Sequence, residues 1–131
     1  MTKVFVAGTF DLFHLGHQWL LWQAVLLGDA MTVIVARDKT VTKIKKRASI
    51  WSEKKRVDRI KTEKIPNTKI ELGNEVGDFL ATLQKINPDL IACGYDQFLP
   101  AIIIDHAQKN NILIKRLDPY FPDYFKSSKF R

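Results

Sequence analysis

One cysteine in 131 residues can form neither an internal disulfide nor a cysteine-rich zinc site. Such usage suits a reducing, cytoplasmic compartment. No apolar run approaches the roughly 20 residues that a membrane span needs, so no membrane association is expected. The chain opens directly into the strand-like Lys3-Val4-Phe5-Val6, so no signal peptide is expected either. There is no internal repeat, low-complexity tract or interdomain linker. The Walker A pattern G-x-x-x-x-G-K-[ST] and the dinucleotide fingerprint G-x-G-x-x-G are both absent.

What is present is an ordinary globular composition, 46% hydrophobic and 27% charged, which argues against wholesale disorder. The length fits one domain over 1–131. The formal charge of +7 is unevenly spread. Residues 37–64 hold 12 basic and 4 acidic side chains, leaving 9 basic and 10 acidic for the rest. One basic segment on a neutral body suggests a polyanionic ligand, with nucleic acid and a nucleoside triphosphate as the two candidates.

Apolar, β-branched runs alternate with helix-like stretches. Strands are expected at 4–7, 31–36, 69–72, 90–93 and 111–114. Helices are expected at 18–27, with Gly28 as C-cap, and at 53–64, with Ser52 as N-cap and Pro66 barring continuation. Further helices are expected at 78–86 and 99–110, and a basic loop over 36–47. Alternating apolar strands and helices give an α/β fold: a Rossmann-like, doubly wound, five-stranded parallel sheet with helices on both faces. Ligands bind such sheets beyond the carboxyl ends of the strands. Three places therefore matter: after Gly8, after Ala36 and after Cys93.

The first strand runs into Gly8-Thr9-Phe10-Asp11-Leu12-Phe13-His14-Leu15-Gly16-His17. Two imidazoles stand three residues apart at a helix start, where exposed N–H groups and the helix dipole favour phosphate. A pair of histidines satisfying a turn, or an Asp11-His14-His17 metal site, are the other readings of the spacing. The segment G-T-F-D-x-x-H-x-G-H resembles the signature of the nucleotidyltransferase superfamily of cytidylyltransferases and adenylyltransferases, and length and element order resemble it over nearly the whole chain.

The resemblance implies a nucleotidyltransferase joining a nucleoside triphosphate to a phosphorylated acceptor with release of pyrophosphate. His14 and His17 would contact the triphosphate and stabilise the transition state. Gly8, Thr9, Phe10, Asp11, Leu15 and Gly16 would border the nucleotide. From the basic segment, Lys46 would assist catalysis, and Lys43 and Lys45 would hold the substrate phosphate, although spacing does not reveal which lysine points inward. Lys55 and Arg56, on the next helix, face either the site or solvent. Asp96, after the fourth strand, would bind the ribose hydroxyls or else cap a helix. The C-terminal Phe125-Lys126-Ser127-Ser128-Lys129-Phe130-Arg131 resembles the family's I-S-S-T-x-I-R with departures. It would bring Ser127, Ser128 and Arg131 to the outer phosphates, or else be a basic tail. A divalent cation, Mg2+, would be held mainly by the triphosphate rather than by protein ligands.

The segments 33–41 and 94–97 resemble the archaeal-type FAD synthetase branch, which adenylylates FMN. The runner-up is a CTP-dependent cytidylyltransferase acting on glycerol 3-phosphate or a related phospho-alcohol. A non-catalytic nucleotide- or nucleic-acid-binding domain is the rival from another class, although no nucleic-acid motif supports it. Trp19 and Trp22 share a helix face, either in the core or at the surface of an expected homodimer. If a protonated imidazole carries transition-state charge, activity should fall as pH passes the histidine pKa.

Overall fold

The structure, a computed structural model, describes residues 1–119. Five parallel strands form one sheet in the order β3-β2-β1-β4-β5: β1 Lys3–Gly8, β2 Ala30–Val35, β3 Thr68–Leu72, β4 Leu90–Gly94 and β5 Leu113–Leu117. Five helices connect them: α1 Leu15–Val25, α2 Asp38–Lys45, α3 Glu53–Lys61, α4 Phe79–Ile86 and α5 Ala101–Lys109. The doubly wound sheet expected from the alternation is therefore present.

The two-residue period of β1 divides the core. Val4 and Val6, with Met31, Val33 and Val35 of β2, face Leu21 and Ala24 of α1 and Ile60 of α3. Phe5, with Ile34 and Ile91, faces Leu83 of α4 and Ile103 and Ala107 of α5. The central strands are covered on both sides, which explains their continuous apolar runs. Pairing of β1 with both β2 and β4 places the reversal of strand order at β1, so the segment after Gly8 stands at the switch point.

Several boundaries differ from the expected ones. The first helix begins at Leu15, inside the histidine motif, because His14 caps it. It ends at Val25 with Leu26 as C-cap, so Gly28 is no cap. A Cβ on Gly28 would lie 2.6 Å from the Thr2 carbonyl oxygen, and this close approach is what requires glycine there. The expected basic loop contains helix α2, whose lysines gather in its last turn, where the dipole favours cations. Its β-branched Thr40, Val41 and Thr42 conceal it from a propensity reading. Finally, β5 lies at 113–117 rather than 111–114, because Asn111 takes a left-handed turn (φ 56°) and the Ile112 N–H donates back to Ala107. The edge strand then carries Lys115 and Arg116, a charged face that an apolar pattern does not reveal. The charged helix α3 stops at Lys61, short of 64. Its expected cap is observed, with Ser52 Oγ accepting from the Lys55 N–H at 3.2 Å. Among the described residues no helix is long and apolar enough to cross a membrane.

Candidate active site

The histidine motif is a reciprocal helix cap. His14, at the N-cap, accepts the Gly16 N–H on Nδ1 at 3.0 Å, and His17 accepts the His14 N–H on its own Nδ1 at 3.2 Å. This is a capping box in which imidazoles replace the usual hydroxyl and carboxylate. A ring nitrogen that accepts carries no proton, so each neutral imidazole bears its hydrogen on Nε2. The rings stack with centroids 3.9 Å apart, and Phe10 and Phe13 each pack on His17 at 5.5 Å. The glycine between them follows from this geometry: a Cβ on Gly16 would lie 2.9 Å from His14 Cε1.

Burial removes water that would solvate an imidazolium, so it lowers the pKa of His14. His17 is pushed down to about 3 by burial, with the neighbouring His14 and the Lys45 charge adding to the effect and Asp11 opposing it. Both shifts favour neutral rings that donate from Nε2 in the unliganded protein. No acidic residue stands in the first turn of α1, so nothing on the helix cancels its positive end.

Asp11 serves the loop. Its two carboxylate oxygens accept the Ile50 and Trp51 N–H groups, each at 2.8 Å, and flanking Phe10 and Leu12 are held at positive φ (57° and 53°). Non-glycine residues adopt that region only when their surroundings impose it. The Asp11-His14-His17 metal reading fails here, since those residues form no group able to hold a metal ion. Among the described residues no cluster of three His, Cys, Asp or Glu side chains does so.

Of the three candidate lysines, Lys45 is the one whose charge acts on His17. It also borders a small cleft with Thr9, Asp11, Ser49 and Ile50. Lys43 and Lys46 are exposed on the same end of α2, Lys46 as its left-handed C-cap. Lys55 stacks over the Trp51 ring at 4.5 Å, whereas Arg56 is wholly buried. Asp96 is exposed in the β4–α5 loop. Its neighbour Gln97, which sequence reasoning missed, reaches the switch point and donates to the Ala7 carbonyl at 3.0 Å. Only a solved register could reveal this, because glutamine has no distinctive motif. Ser127, Ser128 and Arg131 lie outside the described residues.

On the opposite side of Gly8 and Thr9 a cavity of about 170 Å³ opens between α2 and α4. Phe5, Ala7, Ile34, Ile44 and Phe79 make it mainly apolar. Two of its amides are engaged, Asn74 with Asp78 and Thr82 and Gln97 with Ala7 and Gly94, while the hydroxyl-bearing Thr9 and Thr40 also line it. The histidine pair and this cavity thus flank one short stretch of backbone.

The sequence profile of a family described as cytidylyltransferase-like matches residues 5–130. A FAD synthase of Methanobrevibacter smithii is 49% identical over 100 residues, which cover 74% of this chain and 64% of that one, slightly under two thirds of its length. A FAD synthase of Thermoplasma volcanium is 37% identical over 134 residues, covering 100% of this chain and 92% of the relative. The crystal structure of a protein described as the lipopolysaccharide core biosynthesis protein of Thermoplasma volcanium superposes with a TM-score of 0.73. It is 32% identical, and the match covers 92% of this chain and 97% of that one.

Proposed function

Because the chain belongs to the cytidylyltransferase-like family, we propose that it transfers the adenylyl group of ATP to FMN, forming FAD and releasing pyrophosphate. The observation that carries this reading is the pair of Nε2-protonated imidazoles at the positive end of α1, directly beyond β1. A phosphate oxygen of the acceptor bonds to the α-phosphorus, while the bond from that phosphorus to the bridging oxygen breaks and its electron pair leaves with pyrophosphate. The attacking oxygen is already ionised, so no general base is required. The protein aligns two polyanions and stabilises developing charge. His14 and His17 donate to the phosphates, and Lys45 offsets charge from the α2 side. The basic α2 end, with Lys43 and Lys46, receives the acceptor phosphate.

The acceptor reading rests on the relatives and on the cavity beside Gly8. A mainly apolar lining in which Asn74 and Gln97 are internally bonded suits a flat aromatic ring better than a polyol. In this reading Asp96 binds the ribose hydroxyls, and Ser127, Ser128 and Arg131, outside the described residues, serve the outer phosphates. Among the described residues no cluster of His, Cys, Asp or Glu could hold a metal ion, and in this reading a Mg2+ ion arrives with the triphosphate and shields its charge. We assign the reaction to the cytoplasm, a reading that a lone, buried thiol at Cys93 supports. The protein acts as a homodimer through α1, whose outward residues Leu15, Trp22 and Leu26 are exposed on a helix with no charged side chain.

The test offers ATP or CTP, with Mg2+, alongside FMN or glycerol 3-phosphate, and follows pyrophosphate and product. ATP with FMN should be the productive pair, and His14→Ala should lower turnover by about 10²–10³ with the fold intact. Turnover of CTP with glycerol 3-phosphate, or salt-sensitive oligonucleotide binding without turnover, would replace this reading.

A further inference from the structure

Arg56 has no solvent exposure, and its guanidinium ties three stretches of chain together through four acceptors. One terminal nitrogen donates to the Thr9 carbonyl at 2.9 Å and to the Ala36 carbonyl at 2.6 Å. The other donates to Asp38 Oδ1 at 2.7 Å, and Nε donates to the Trp51 carbonyl at 3.2 Å. Thr9 belongs to the histidine loop, and Ala36 leaves β2. Asp38 opens the lysine-bearing helix α2, and Trp51 lies in the segment whose N–H groups Asp11 grips. Ser49 Oγ also donates to Asp38 Oδ1, at 3.3 Å, and Glu53 accepts the Asp38 N–H at 2.9 Å.

Stability alone does not explain such a residue, because well-packed apolar side chains commonly replace a buried ion pair without loss. What an apolar side chain cannot do is fix four polar groups in direction, and a lysine lacks the planar fork to do so. The four acceptors lie where the two halves of the candidate site meet. We infer that Arg56 is a positioning residue, which sets α2 and Lys45 at a fixed distance from the His14–His17 pair. It touches no substrate. It acts by holding the two phosphate-binding arms in the geometry that the transition state needs, where a misplacement of about 1 Å is enough to cost about 10²-fold in rate.

This inference rests on the nucleotidyl-transfer reading, and the experiment separates the two. Arg56→Lys, Asp38→Asn, Lys45→Ala and the Arg56→Lys/Lys45→Ala pair are compared well below their melting temperatures, with circular dichroism establishing the fold. Arg56→Lys should lower kcat about tenfold or more, while KM for ATP moves by less than about threefold, the pattern of a lost transition-state interaction. In the Lys45→Ala background the same change should cost less than about threefold, because what Arg56 positions is gone. Amide exchange at Ile50 and Trp51 should quicken in Arg56→Lys while β1 and β2 stay protected. A lower melting temperature with kcat unchanged, or full additivity with Lys45→Ala, would overturn the inference. Should Arg56→Lys not fold, Asp38→Asn decides, since that side chain is about half exposed: its kcat should fall, and an unchanged kcat overturns the inference. Should the native protein make no FAD, the acceptor reading fails by itself. Affinity for α,β-methylene ATP then replaces kcat as the readout, with non-additive weakening expected and additive weakening refuting.

Discussion

Gly16 shows how far one residue depends on its neighbour. The spacing of the two histidines marks them as a phosphate-binding pair, but not as mutual caps of α1. Once His14 lies over Gly16, any Cβ there meets the ring at 2.9 and 3.1 Å, so the ring must move. Gly16→Ala therefore has opposed effects. Alanine's better helix propensity gains about 0.5–1 kcal/mol and the lost His14 cap costs about as much, so the melting temperature should change little. Turnover should fall about 10- to 100-fold as the His14 ring leaves its place. Full turnover in this variant would show that the cap does not set the histidine's position. Asp11 carries a similar lesson. Its place in the motif was legible, yet its partners are backbone groups some 40 residues away, which no local pattern encodes.

The elements differ in how openly they declare themselves. Buried strands such as β1 and β2 read as apolar runs because both their faces are covered. The edge strand β5 keeps charges on its open side, so its boundaries were shifted in the sequence reading. Helix α2 depends on partners from α3, through Asp38 and Arg56, and propensity alone leaves it a loop. Helix α1 presents the opposite case: its two tryptophans are visible at once, but their division of labour is not. Trp19 donates to the Asp118 carbonyl at 3.0 Å, and Trp22 donates to Glu63, which also takes bonds from Gln18 and Arg59. The remaining stripe, ending at Leu26, is uncharged and outward. Light scattering should give about twice the chain mass of 15.1 kDa, and Leu26→Lys should return it to one chain by placing a charge in the apolar contact. A native mass of one chain would remove the proposed dimer.

At the scale of the whole molecule, the buried site makes stability depend on pH. The folded pKa of His17, about 3, lies below the unfolded value of 6.5, so the unfolded chain binds more protons between those values. Its contribution is fully present above 6.5 and is lost as pH falls towards about 3. The slope is about 1.4 kcal/mol per pH unit, or about 2 kcal/mol between pH 6.5 and 5. The carboxyls of Asp38 and Glu63 are also held below their ordinary range. Burial pushes both up, but hydrogen bonds from Arg56 to the first, and from Arg59, Trp22 and Gln18 to the second, outweigh it. Their contributions are present above the ordinary carboxylate pKa and are lost as pH falls through the lowered one, so they add a second loss at more acid pH. Urea midpoints should therefore drop from pH 7 to 5, and His17→Gln should flatten that part of the profile. A flat native profile would mean that His17 titrates normally and is not buried as described.

By itself the sequence determined the alternation of strands and helices, the parallel sheet and the placing of a histidine pair beyond the first strand. These follow from short-range periodicity and motif spacing, which a linear chain carries openly. The tertiary structure alone decided that burial favours neutral imidazoles, that Lys45 is the lysine nearest in effect, and that Arg56 and Gln97 serve the strand ends. Those properties arise from burial and from contacts between residues far apart in the chain, and such contacts exist only once the sheet has brought the carboxyl ends of its strands together.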